Sequence, residues 1–172
     1  MRIKGSAKNT VFFILIGVFS LAPLIPYNIS YAQESQRLKE EEVLDTATKL
    51  FKAMERKHLK KIWQLISKKS KKDIVELVYK TMLKNNVKTY TKEDIEKDFE
   101  NGGPIAKAFW DGYLKNFDPK KVLDESRWEK VKFDDSKAKI EIKYKKAKVP
   151  FYLKMYKENN DWKVGLIESF GL

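Results

Sequence analysis

The chain has no cysteine and only one histidine, His58. Disulfides, lipidation at a cysteine and any Cys–His catalytic pair are therefore excluded. Zinc sites draw several ligands from these two residue types, so structural zinc and the usual catalytic zinc centres are excluded as well. A Ser–His–acid triad would have to take His58 as its base. His58 stands beside Lys57, Lys60 and Lys61, and their charge opposes the imidazolium a base must become, so it reads as a turn or surface residue. Acidic residues are also short, with 24 Asp and Glu against 36 Lys and Arg and a formal net charge of +12. Long apolar runs are missing too. Val11 to Ala22 is apolar, but Pro23 and Pro26 break its continuation, and a spanning helix wants about 20 apolar residues.

A short apolar run has a different use at an amino terminus. Arg2, Lys4 and Lys8 precede it without an acid, and Ser30 and Ala32 place small residues before a cut at Ala32–Gln33. Residues 1–32 are therefore expected to be a signal peptide, and the protein to be exported to a periplasmic or extracellular space. The alternative is a retained anchor on the inner membrane through residues 11–29. Removing the leader lowers the net charge by three, to +9, and leaves 33–172, the length of one domain. Outside a cytoplasm, such a surface suits membrane phosphates or acidic wall polymers better than nucleic acid. Lys57, Lys60, Lys61, Lys68, Lys69, Lys71 and Lys72 lie in one acid-free stretch and are the candidates for such an anionic contact. A solvated face explains the same stretch, since lysine is a well-hydrated point charge.

Residues 33–39 are polar and expected to be a flexible lead-in to a single domain over 40–172. From Glu40 to Arg56, Val43, Ala47, Leu50 and Met54 recur on one helical stripe, widened by Leu44 and Phe51. Glu40, Glu41 and Glu42 are placed in its first turn and Lys52 near its end, as the helix dipole favours. Leu59, Ile62, Trp63 and Ile66 mark a second helix; Ile74, Leu77, Val78 and Met82 mark a third. Thr91 with Asp94 predicts a capped short helix that Asn101-Gly102-Gly103-Pro104 ends. Ile105, Phe109, Gly112 and Tyr113 predict another, and Asp118-Pro119 starts a last brief piece. After Asp124 the period becomes two. Ala138, Ile140, Ile142 and Tyr144 form one strand face; Val149, Phe151, Leu153 and Met155 a second; Trp162, Val164 and Leu166 a third. Trp128 to Phe133 is a weaker strand. The expectation is an α+β fold, with amino-terminal helices packed on a curved antiparallel meander.

The helical stretch VLDTATKLFKAMERKHLKKIWQLISKKSKKDIVELV and the closing ENNDWKVGLIESF resemble the paired helices and last strand of the nuclear-transport-factor-2-like superfamily, the cystatin-like cone. The resemblance covers roughly residues 40–170 and implies an exported bacterial cone. It says little about activity, because this superfamily hosts enzymes, secretion-system components and ligand binders. Many relatives carry Gly-Asp between the first two helices, where this chain has Lys57-His58.

The superfamily's isomerases and dehydratases place acid/base residues inside the cone. Here the inward strand positions are apolar, and only Tyr144 exchanges a proton, so an enzyme (isomerase, dehydratase or hydrolase) is disfavoured. Glu93, Asp94, Glu96, Asp98 and Glu100 crowd one segment without a calcium-loop spacing. No metal and no cofactor is expected, and no catalytic residue is assigned. Aromatic residues remain. Trp63, Phe109, Tyr113, Ile142, Tyr144, Leu153 and Trp162 are either core or the lining of a pocket between helices and sheet. The reading is a non-enzymatic cone domain binding an apolar or amphipathic small molecule, or serving as an accessory module. The alternative partner is an envelope protein met by an anchored form.

Overall fold

A computed structural model of the chain describes residues 27–171, and the apolar run of the expected leader lies outside them. Among the described residues are seven helices and four strands. In chain order they are α1 (Tyr27–Glu55), α2 (Leu59–Leu65), α3 (Lys68–Lys84), α4 (Lys92–Asn101), α5 (Pro104–Asn116) and α6 (Pro119–Asp124), then β1 (Ser126–Phe133), β2 (Lys137–Tyr144), β3 (Phe151–Glu158), β4 (Asp161–Gly165) and α7 (Leu166–Phe170). The fold is α+β, with helices preceding an antiparallel sheet of order β1-β2-β3-β4.

Helix α1 begins earlier than its charge pattern suggests. Residues 33–39, expected as a flexible lead-in, are helical, and Glu40 to Glu42 lie in mid-helix rather than in a first turn. The expected cut at Ala32–Gln33 falls within the same helix. The predicted stripe is the buried one: Val43, Ala47, Leu50, Phe51 and Met54 are almost fully enclosed. The helix stops where Lys57 takes a left-handed φ of 52°, which lets the amides of Lys57 and His58 bond to the carbonyls of Met54 and Ala53.

Three of the helices start on side-chain caps. Ser67 accepts from the Ser70 amide at the head of α3, Thr91 and Asp94 form a reciprocal capping box on α4, and Asp118 accepts from the Lys121 amide on α6. Gly102 closes α4 at φ 63°, a conformation in which a Cβ would press within 3.3 Å of Leu59.

The sheet is a meander of hairpins. Ile140 faces Leu153, Ala138 faces Met155 and Met155 faces Val164. These residues turn inward and are buried, while Lys139, Lys143 and Tyr152 turn outward. Asn159 and Asn160 both adopt positive φ between β3 and β4, as a two-residue hairpin turn requires. The strand faces deviate from the period at two ends. Val149 precedes β3 and is 74% exposed. Leu166 is buried, but in the first turn of α7 rather than in β4. One contiguous core joins α1, α2, α4 and α5 to the inner sheet face.

Candidate functional site

The seven aromatic and aliphatic pocket candidates do not converge on one cavity. Trp63, Ile142, Leu153 and Trp162 are between 0% and 6% exposed and belong to the packed core. Trp63 lies against Phe99, with ring centroids 4.7 Å apart. Tyr144 sits at the end of β2, where its hydroxyl donates to Glu125 Oε2 at 2.7 Å; that bond holds the phenol pKa above its ordinary value. Tyr113 is stacked on Phe109, and burial pushes its pKa up to about 12. The inward strand residues Ile140, Ile142, Leu153 and Met155 are at most 3% exposed and fill the core rather than wall a groove.

The apolar concavity lies elsewhere, with Phe109 as the one candidate that reaches it. Leu77, Val78, Thr81 and Met82 of α3 form one wall of a groove of about 500 Å³. Pro104, Ile105, Ala108 and Phe109 of α5 form the other, and Tyr90 from the connecting loop contributes a third side. Its cause is visible in both helices. On α3 the stripe Ile74, Leu77, Val78, Met82 is only partly covered: Ile74 is buried, but Leu77 remains 40% exposed. On α5 the residues facing the core are Ala106 and Trp110, one position on from the predicted stripe. Ile105 and Phe109 are thereby left at the edge of the core, half-buried. Thr81 and Tyr90 are the only side chains there with a protic group, and no carboxylate or imidazole lines the groove. Such a surface holds apolar matter and offers no general base.

The lysine stretch divides among several environments. Lys57 and Lys107 both bind Asp111 at 2.7 Å, and these two ammonium groups hold the Asp111 carboxyl down to about 2. Lys69 pairs with Asp73 at 2.6 Å. Lys71 is half-buried over the Trp63 ring, 5.4 Å from its centroid, and burial followed by repulsion from Lys163 lowers its pKa. Lys60, Lys61, Lys68 and Lys72 are exposed and make no ion pair among the described residues. Lys61 and Lys71 line one groove with Lys49 and Lys163; Lys68, Lys71 and Lys72 line another with Lys92. Lys71 is common to both grooves.

His58 is exposed at the amino end of α2. In the acidic segment, Asp94 serves the α4 cap and Asp98 accepts from the Ala106 amide at 2.7 Å, fastening α5 to α4. No group of three or more His, Cys, Asp or Glu able to hold a metal occurs among the described residues. A buried polar cluster that sequence reading missed joins Ser67, Ser70 and Glu168. Ser67 Oγ donates to Glu168 Oε1 at 2.8 Å, Ser70 Oγ donates to Glu168 Oε2, and the Ile167 amide donates to Ser70 Oγ. Both serines are about 1% exposed or less, so this cluster is a latch between α3 and α7 with no room for a substrate. Its only sequence signal is the Ser-Lys-Lys-Ser break; the glutamate lies 98 positions from Ser70.

Comparison of the chain with protein-family models, with curated proteins and with solved structures gives no match in any of the three.

Proposed function

We propose that this chain is an exported, non-enzymatic binding domain whose ligand is an apolar or amphipathic small molecule held in the groove between α3 and α5. The observation that carries the reading is the groove itself: about 500 Å³, walled by aliphatic and aromatic side chains, with only Thr81 and Tyr90 to orient a polar group. That composition fits a lipid-like chain and gives an isomerase, dehydratase or hydrolase no base. The cystatin-like cone remains the architecture we propose. Lys57 supports it, because it occupies the left-handed turn position that a glycine fills in many relatives.

Native mass spectrometry of the purified chain is the direct test, with a co-purifying mass of lipid size as the expected result. A fluorescent long-chain fatty-acid probe, used as a monomer in solution, should bind the parent. Ala108→Trp, at an exposed position on the groove wall, should abolish that binding without lowering the melting temperature. Probe binding that survives Ala108→Trp would remove the groove from the proposal.

A second reading, an anchored envelope interaction protein, is favoured by α1. Every side chain from Tyr31 to Lys39 is exposed, so this stretch of the helix stands clear of the core and is free to act as a stalk. Gln33 found as the amino terminus of the exported protein would rule it out.

A further inference from the structure

We propose that the second half of α3 and the loop leaving it, residues 77–92, dock on an anionic lipid bilayer, with Leu83, Val87 and Tyr90 entering the interface and Lys84 and Lys88 meeting the phosphates. Eight large apolar side chains are exposed among the described residues, and four of them, Leu77, Leu83, Val87 and Tyr90, fall in this one segment. An apolar concentration of that kind marks an interaction surface, because scattered single exposures are the ordinary case.

The charge there identifies the partner. From Leu77 to Lys92 the sequence has four lysines, Lys80, Lys84, Lys88 and Lys92, and no acid. Glu76, just outside, pairs with Lys80 at 3.2 Å and Lys92 at 2.5 Å. Lys84 and Lys88 are exposed and have no ion pair among the described residues. Leu77, Lys80, Thr81 and Lys84 share one stripe of α3 by helical spacing, with Lys80 and Lys84 turned to water beside the exposed Leu77. Exposed apolar and basic side chains interleaved along one segment match the bilayer interface, where rings and aliphatic groups sit below the phosphates while lysine stems reach up to them. Lysine suits diffuse headgroup charge, whereas an acidic protein partner is better read by the bidentate arginine that this segment lacks. The groove opens beside this surface, since Leu77 and Tyr90 belong to both, but docking does not require that the groove hold a ligand.

The absence of cysteine makes a site-specific probe simple. Val87→Cys and, as reference, Lys61→Cys are each labelled with an environment-sensitive fluorophore in the full chain. Each is mixed with phosphatidylcholine vesicles with or without phosphatidylglycerol. The label at 87 should shift to the blue with the anionic vesicles alone, and the label at 61 should not shift. Unlabelled parent should cosediment with the anionic vesicles. Lys84→Gln with Lys88→Gln should weaken partitioning by roughly fivefold per lysine, and Lys60→Gln with Lys61→Gln, of equal charge change, by clearly less. No shift at 87, an equal shift at 61, equal losses from the two lysine pairs, or absence of cosedimentation would each overturn the docking. Ala108→Trp separates the two readings: it should abolish the soluble fatty-acid probe's binding and leave the shift at 87 intact.

Discussion

Ile142 and Lys143 are adjacent in β2 and live in different media. Ile142 is 3% exposed and packed on the helical layer, and Lys143 faces water. An unpaired carboxylate buried in that core costs several kcal/mol, comparable to a domain's whole stability. Ile142→Asp should therefore unfold the protein in a thermal melt, while Lys143→Asp should melt within about 2 °C of the parent, as surface changes do. Equal melting temperatures would contradict the register. At Lys57 two effects oppose each other. Its left-handed φ costs about 1 kcal/mol that glycine would not, and its ion pair with Asp111 is exposed on the lysine side, where water screens it and leaves it little weight. Lys57→Gly should leave stability almost unchanged and raise the Asp111 midpoint from about 2 toward the ordinary carboxylate value of about 4. Because the folded value is the depressed one, the stabilisation by Asp111 is complete above about pH 4 and is lost as pH falls through 2. A carboxyl-detected NMR titration measures both midpoints, and an unmoved one would show that Lys107 alone holds the carboxylate down.

Among the elements, α7 is too short to be stable by its own hydrogen bonds. Leu166 anchors it in the core, and Ser67, Ser70 and Glu168 tie it to the first turn of α3. The Glu168 carboxylate meets that helix at its amino end, where the dipole favours negative charge. Ser70→Ala removes both the donor to Glu168 and the acceptor of the Ile167 amide, which should cost about 1–3 kcal/mol. Hydrogen exchange at the Ile167 amide should accelerate accordingly. Unchanged protection there would mean that Leu166 alone holds the helix. Helix α4 was legible because Thr91, Asp94 and Gly102 act within their own turn. The latch was not, because Glu168 reaches Ser67 across 101 positions and no local pattern marks such a pair.

For the molecule as a whole, one core spans helices and sheet, and the amino-terminal part of α1 stands outside it. Residues 31–39 contribute no buried side chain, so in a chain that begins at Tyr31, deleting residues 31–38 should move the melting temperature by no more than about 2 °C. Deletion through Leu50, which is fully buried, should abolish folding. A large loss from the shorter deletion would mean that the exposed half of α1 packs on something in solution, such as a second copy.

Composition and local pattern were enough for the fold class, for the caps of α4 and α6 that Thr91, Asp94 and Asp118 supply, for the inward face of β2, and for the chemistries that absent cysteine forbids. Each of these is a property of neighbours in the chain or of composition. Where the concave apolar surface lies depends on how the elements pack. Periodicity shows that Leu77, Val78, Met82, Ile105 and Phe109 are apolar stripes, but coverage is a relation between two elements. The strand face expected to line a pocket met the helices and filled. The stripes on α3 and α5 met each other incompletely and left a groove. The lysines divided for the same reason: whether an ammonium group finds Asp111 from another helix, lies over the Trp63 ring or stays in water depends on which surface its helix turns outward.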